Sequence, residues 1–321
     1  MQIIHLNPNA PTILPPHALT IGNFDGVHLG HQAMLDSLKK DAHKQHLASA
    51  VMVFEPQPQE FFNPTNPPAR LTNFTEKSEL LAKFGVDLLI KAEFNDIFQG
   101  LSAHAFADVL KKMNTKHLVL GDDFRFGHDR IGDKHLLIQA GFSVDNLSSI
   151  CINQVRISST IVRKMLLTGD LQTAKTLLGQ DYTITGKVVH GDKIGRTLNF
   201  PTANVALDRL KPALHGVFGA DILAFKDGQM IDLYHLGGGT KGATNHSLLG
   251  AVNLGTRPSV QGKDYRLEVH LPNFKGELYD LTLKVIFKKY LHGEVHYANL
   301  NELKNGIQKD VKALLEWHNL N

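Results

Sequence analysis

Two histidines three residues apart, His28 and His31, stand in the string LTIGNFDGVHLGH of residues 19–31. Side chains at i and i+3 share one side of a helical turn. The glycines among them mark a strand giving way to a helix, and the backbone N–H groups at such a helix start hold phosphate. Paired imidazoles there suit charge on a phosphate under attack and on a departing pyrophosphate. No third ligand accompanies them, which argues against zinc. His43 and His46 repeat the spacing without the glycines and read as a solvated helix face.

Three further strings of the first half carry chemistry. In FEPQP (residues 54–58), Pro56 and Pro58 fix φ and stiffen a loop beside Phe54, against which a flat ring can rest; a rigid strand exit is the plainer reading. In GDDFRFG (residues 121–127), Phe124 and Phe126 flank Arg125, offering aromatic faces and a guanidinium for phosphate; core packing of one Phe is the alternative. In RISSTIVR (residues 156–163), hydroxyls cap a helix whose N-terminus favours anions, and Arg163 follows one turn in, within reach of a triphosphate.

In the second half, residues 186–204 carry Gly186, Gly191 and Gly195 and end in PTAN. The Thr202 hydroxyl and Asn204 carbonyl are hard oxygen donors at alternate positions, suited to Mg²⁺ with substrate phosphates; a turn capped by Asn is the alternative. In YLHGEVHY (residues 290–297), His292, Glu294 and His296 share a face if the segment is extended. That trio raises a non-haem metal reading, against a Glu exposed on a strand edge.

These strings need a scaffold. Ala18–Ile21 is an apolar run stopped by Gly22 and Asn23, and a helix is predicted from Gly30 to about His43. Ala48–Phe54 is continuously apolar, as a strand buried on both faces should be. A helix over Thr75–Phe84 capped by Thr72 or Thr75, a strand at Asp87–Ile90, a helix over Ala103–Met113 and a strand at His117–Leu120 follow. The order β-α-β-α-β-α-β predicts a parallel sheet with helices on both faces, binding ligands at the carboxyl ends of its strands. Helices over Ser158–Leu167 and Leu171–Leu178 close this half.

After Leu178 the period becomes two. Tyr182–His190, Val217–Leu223, Leu248–Leu254, Tyr265–Leu271 and Leu281–Phe287 are strand candidates punctuated by Gly and Pro, which predicts an antiparallel sheet or small barrel. Leu300, Leu303, Ile307, Val311, Leu314 and Leu315 give a helical stripe, and Gly237–Gly239 lie in a polar stretch expected to be a flexible loop. The predicted domains are residues 1–180 and 181–321.

At 321 residues, two domains are expected, and 42% hydrophobic with 20% charged residues excludes wholesale disorder. The balance of 34 Lys+Arg against 31 Asp+Glu leaves +3, too small to point to nucleic acid or a membrane surface. No apolar run approaches a membrane span, and the N-terminus lacks a signal-peptide pattern. Cys151 is the only cysteine, so no internal disulfide forms and a reducing, cytoplasmic setting is expected. Nothing here signals an oligomeric state.

The string GNFDGVHLGH resembles the nucleotidylyltransferase signature of the bacterial bifunctional riboflavin kinase/FAD synthetases. Four other strings match in order: FEPQP resembles the loop after the second strand, GDDFRFG the flavin-side loop, RISSTIVR the ATP-side helix start, and residues 186–204 the kinase motif. The resemblance covers essentially the whole chain. It implies a Rossmann-like nucleotidylyltransferase domain, then a small antiparallel β-barrel kinase domain with a C-terminal helix. The first would join AMP from ATP to FMN, giving FAD and pyrophosphate; the second would phosphorylate riboflavin with ATP. By resemblance, His28, His31 and Arg163 serve adenylyl transfer, with Gly22, Phe24, Asp25, Gly30, Ser159 and Thr160 around ATP. Phe54, Pro56, Pro58, Asp123, Arg125 and Phe126 would face flavin. Gly186, Lys187, Gly191 and Gly195 would hold the kinase nucleotide, Thr202 and Asn204 its Mg²⁺, and Glu294 would be the base. Asn199 stands where the family has Gly, His292 where it has Arg, and the tract 234–249 is longer than usual. A different nucleotidylyltransferase, or a flavin carrier without catalysis, are the other readings.

Overall fold

The structure, a computed structural model, describes residues 1–148, 151–152, 155–190, 199–244, 246–259 and 262–320. The chain divides into two compact units: Met1–Pro68 with Thr72–Ile161, and Ala69–Leu71 with Val162–Asn321.

The first unit is built on six parallel strands: β1 (Gln2–Leu6), β2 (His17–Ile21), β3 (Ala48–Glu55), β4 (Leu88–Glu93), β5 (Thr115–Gly121) and β6 (Ser143–Leu147), in the order β1-β4-β3-β2-β5-β6. The continuous apolar runs are there because both faces are covered. Ala50 and Met52 of β3 join one core with the helices α5 (Ala103–Lys112) and α6 (Lys134–Gln139). Val51 and Val53 join the other with α1 (Leu29–Lys44) and α3 (Phe74–Lys83). From β2 the chain runs outward through β3 and β4, then returns to place β5 on the other side of β2. The reversal opens a crevice at the carboxyl ends of β2 and β5, where such sheets bind ligands.

Three readings are refined. β1 and β6 were not anticipated, because these edge strands are largely exposed and lack an apolar run. The cap of α3 is Asn73, not Thr72 or Thr75: its side chain accepts from Glu76 N at 2.9 Å while Glu76 accepts from Asn73 N at 2.9 Å. Two short helices, α2 (Pro58–Phe62) and α4 (Asp96–Gln99), follow β3 and β4.

The second unit begins with the end of α7 (Ser159–Leu167) and with α8 (Leu171–Leu178). Two short strands that pair antiparallel, β7 (Cys151–Ile152) and β8 (Val155–Arg156), belong to the first unit; the strands of the second are β9 (Thr183–Val189), β10 (Thr202–Val205), β11 (Gly216–Lys226), β12 (Gln229–Ile231), β13 (Leu248–Ser259), β14 (Gly262–His270) and β15 (Thr282–His292). Six close into an antiparallel barrel, β11-β13-β14-β10-β9-β15, through a β15–β11 pairing, and β12 extends β11 as a hairpin. Alternate residues such as Ile184, Val205, Phe218, Val252, Val269 and Val285 are buried, which explains the period of two. The final helix, numbered α10 (Leu300–Asn319), packs Leu314 against Leu249 and Ala251. A side chain at Gly219 would overlap Leu314.

The expected flexible loop at Gly237–Gly239 is instead built. Asp232 caps a short helix, α9 (Leu233–Gly237), and Gly238 bridges to Phe274, with a side chain at Gly237 excluded by the Gly276 backbone. Farther along this tract, Ala243 N donates to Asp221 Oδ1 at 3.0 Å. Asn199 has φ of 65°. That left-handed backbone suits Gly or Asn, so the departure at 199 preserves the turn.

Candidate functional sites

The turn after β2 is held in an unusual shape. Phe24 and Val27 have φ of 47° and 40°, and a β-branched residue rarely adopts such a φ. The buried Asp25 carboxylate accepts from Thr72 N at 3.0 Å and Thr72 Oγ1 at 3.3 Å, and Gly26 N donates to the same hydroxyl. Ser159 Oγ donates to the Asp25 carbonyl at 2.9 Å, tying the start of α7 to the turn. His28 then caps α1, its Nδ1 accepting from His31 N at 3.3 Å. In neutral imidazole that leaves the proton on Nε2, a donor for an anionic oxygen. The His28 and His31 rings stack with centroids 3.7 Å apart, and Phe24 lies 4.8 Å from His31. Gly30 admits the His28 ring, since a Cβ there would come within 3.2 Å of it.

Phe24, His28, Gly30, His31 and Ser159 line a cleft of about 450 Å³ at the carboxyl ends of the strands. Beside it is a second cavity of about 360 Å³ walled by Phe94, Phe98, Phe106 and Phe126. Ile21, Phe54, Pro58, Phe124, Arg125 and Arg130 line both. Phe124 and Phe126 stack at 5.6 Å, and Gly132 leaves room for Phe126. Arg125 is held by the Phe124 carbonyl at 2.8 Å, and Arg156 pairs with Asp123 at 2.8 Å on the exposed rim. A polar cleft with His28, His31, Arg125, Arg130 and Arg156 thus opens onto an apolar slot, a shape that fits phosphates on one side and a flat ring on the other.

In the second unit, Thr202–Val205 is a strand, not a turn. Ala203 and Val205 face the barrel core, so Thr202 and Asn204 share the opposite side and line a recess of about 70 Å³ with Glu277 and Tyr279. Two neutral oxygen donors on one side of a rigid strand fit a hard divalent cation. His270 Nδ1 holds the Pro201 carbonyl at 2.9 Å; burial, only partly offset by that bond, lowers its pKa and keeps the ring neutral. In register, Asn204 stands opposite Glu268, and Glu268 opposite Asn253. Glu294 lies beyond the end of β15, with Oε1 accepting from Thr256 N at 3.0 Å. His292 turns instead to Asp310, Nε2 to Oδ1 2.8 Å. His292, Glu294 and His296 therefore do not converge, which overturns the non-haem metal reading; the strand that would align them stops at His292.

The FAD synthetase family model matches residues 10–161, and the riboflavin kinase model residues 178–318. The bifunctional riboflavin kinase/FMN adenylyltransferase of Escherichia coli is 42% identical over 308 residues, 94% of this chain and 93% of its own. This chain belongs to the bifunctional riboflavin kinase/FMN adenylyltransferase family. The member from Haemophilus influenzae is 38% identical, covering 99% of this chain and 100% of its own. A crystal structure described as a macrolide-efflux protein from Streptococcus pneumoniae matches with a TM-score of 0.75 at 25% identity, over 98% of this chain and 99% of that one. No helix among the described residues is long and apolar enough to cross a membrane.

Within the family's adenylyltransferase half, Gly22, Phe24, His28, Gly30, His31, Phe54, Pro58, Asp123, Arg125 and Ser159 line the cleft, and Phe126 the slot. Asp25 braces the turn instead of lining the cleft, Pro56 and Thr160 are exposed, and Arg163 belongs to the second unit, where Nε donates to the Ala69 carbonyl. Arg130, Arg156, Met34 and three phenylalanines of the slot wall, Phe94, Phe98 and Phe106, were missed. Arg156 opens the RISSTIVR string and was within sight; Phe98 and Phe106 sit on helices, where an aromatic reads as core. Within the family's kinase half, a side chain at Gly186 would overlap the Ala206 carbonyl, so that glycine serves a close backbone approach, while the Lys187 side chain is exposed. Gly191 and Gly195 lie outside the described residues.

Proposed function

We propose that the cleft and slot of the first unit are where ATP and FMN react, and that the recess on β10 serves the kinase, with a functional boundary near residue 180. The observation that carries this is the continuity of cleft and slot through Phe54, Phe124 and Arg125. An isoalloxazine in the slot leaves its phosphate beside the polar cleft. An FMN phosphate oxygen attacks the α-phosphorus of ATP, forming the new P–O–P bond as the bond to the β-phosphate breaks. His28 Nε2–H and His31 steady the charge that builds during that exchange. Arg125 and Arg130 anchor phosphates at the junction. Chemistry beyond positioning and charge stabilisation is not required.

In the kinase half, the riboflavin 5′-hydroxyl attacks the γ-phosphorus of ATP and gives up its proton to a base, while the bond from that phosphorus to the β-phosphate oxygen breaks and ADP leaves. Thr202 and Asn204 would hold Mg²⁺, which neutralises phosphate charge when bound. Glu268 is the better base than Glu294: it stands opposite Asn204 in the barrel, whereas the Glu294 carboxylate is engaged by Thr256. Glu268→Gln should lower riboflavin phosphorylation about 10²–10⁴-fold and leave FAD formation from supplied FMN unchanged. Glu294→Gln should retain most kinase activity. The reverse ranking would return the role to Glu294. This reading requires ATP, riboflavin and FMN as small-molecule partners, neither nucleic acid nor membrane, and a cytoplasmic setting.

A further inference from the structure

We propose that Asp41, His117 and Asp145 form a cation site, separate from the flavin and nucleotide cavities, that takes Zn²⁺ or a transition ion of similar preference. His117 stands on β5 and is 1% exposed. Its Nδ1 is 3.0 Å from Ser143 Oγ, but its Nε2 is buried with no hydrogen-bond partner. That nitrogen faces two carboxylates, 3.8 Å from Asp41 Oδ2 and 3.6 Å from Asp145 Oδ2. Both gaps are too long for hydrogen bonds. The three ligand atoms lie within 4.8 Å of one another.

A metal ion fits the two gaps from the imidazole nitrogen. Zinc bonds of about 2.0–2.2 Å place two ligand atoms roughly 3.4 Å apart at a tetrahedral angle and about 4.2 Å apart when opposed. The 3.6 and 3.8 Å gaps fall between these limits. The Ser143 contact on the far ring nitrogen is the outer partner that metal-bound histidines keep. One imidazole with two carboxylates suits Zn²⁺, whereas Mg²⁺ and Ca²⁺ favour oxygen donors throughout. Asp145 is on the surface, which gives the ion a way in.

The place in the fold argues for a structural role. Asp41 is in the last turn of α1, and His117 and Asp145 are on neighbouring strands β5 and β6. His117 precedes Gly121 by four residues, about 13 Å along a strand. An ion here fastens the end of α1 to the sheet, and the start of that helix carries His31.

The test uses the full-length protein stripped of metal. Zn²⁺ is titrated against a chromophoric chelator, and thermal melts are run with and without it. Wild type should bind one equivalent tightly and gain in Tm. Asp145→Asn, at an exposed position, and Asp41→Asn should each weaken binding by about 100-fold or more and lose the Tm gain. FAD formation by stripped Asp145→Asn should match that of stripped wild type. If the wild type takes up no Zn²⁺, the cluster is an ion-pair network only and the proposal is overturned. If both variants bind as tightly as wild type, the ion sits elsewhere and the proposal is equally overturned.

Discussion

His28 is asked to meet two demands with one ring: Nδ1 caps α1, and under the proposed function Nε2 meets phosphate. The two can be separated. His28→Asn keeps a side chain that caps well, so stability should hold while adenylyl transfer falls about 10²–10³-fold. His28→Ala should show the same kinetic loss and about 1 kcal/mol less stability. Denaturant unfolding beside FAD formation checks both, and equal stability of the two variants would remove the capping role. Lys77 is a second residue with a definite expectation. It is fully buried with Nζ 3.0 Å from Glu55 Oε1, joining α3 to the end of β3. Lys77→Met removes the buried cation beside this largely buried carboxylate and should cost about 3–5 kcal/mol, with Glu55→Gln restoring part of it in the double variant. A loss below about 1 kcal/mol by denaturant unfolding would contradict this. The pairing of the two histidines was legible because their spacing alone puts both rings on one helical turn, where they stack and line the cleft. The bracing role of Asp25 was not, because its partner Thr72 lies 47 residues away.

Elements were legible where burial is two-sided or strictly alternating. Ala48–Phe54 and the barrel strands announced themselves, whereas the polar edges β1 and β6 did not. β10 was obscured because Pro201, Thr202 and Asn204 are turn-forming types, and only its pairing with β14 and β9 makes it a strand. The end of β15 shows how a departure from the family pattern can be absorbed. Burial disfavours charge on His292, but hydrogen bonds to Asp310 and the Gly293 carbonyl, with the Asp310 charge, outweigh it and raise the pKa. A raised folded-state pKa means that the pair stabilises fully below the unfolded value of about 6.5 and fades as pH rises through the folded value. Asp310→Asn should therefore lower Tm more at about pH 5.5 than at about pH 8.5. The difference should be small, about 1 kcal/mol or less, because the His292 side chain is 34% exposed. His292→Arg, charged at both values, should abolish the pH difference. A larger loss at the higher pH would contradict the assignment.

At the scale of the molecule, the candidate cavities are segregated: the cleft and slot are lined by the first unit, and the recess on β10 by the second. The change in hydrophobic period after Leu178 announces the barrel, but the second unit already begins at Val162, so the helices expected to close the first half fall largely in the second. The grouping of Ala69–Leu71 with the second unit was not legible, since it depends on Arg70 N donating to the Lys211 carbonyl and Tyr182 Oη to the Leu71 carbonyl. Two chemistries on two units should be separable by single substitutions. The decisive assay incubates wild type, His28→Ala and Thr202→Val with riboflavin, ATP and Mg²⁺, and in parallel with FMN, then separates riboflavin, FMN and FAD. Wild type should convert riboflavin to FMN and then FAD, His28→Ala should stop at FMN, and Thr202→Val should leave riboflavin largely unphosphorylated yet turn supplied FMN into FAD. Loss of riboflavin phosphorylation in His28→Ala with FAD formation intact, or loss of both activities in either variant, would contradict the account.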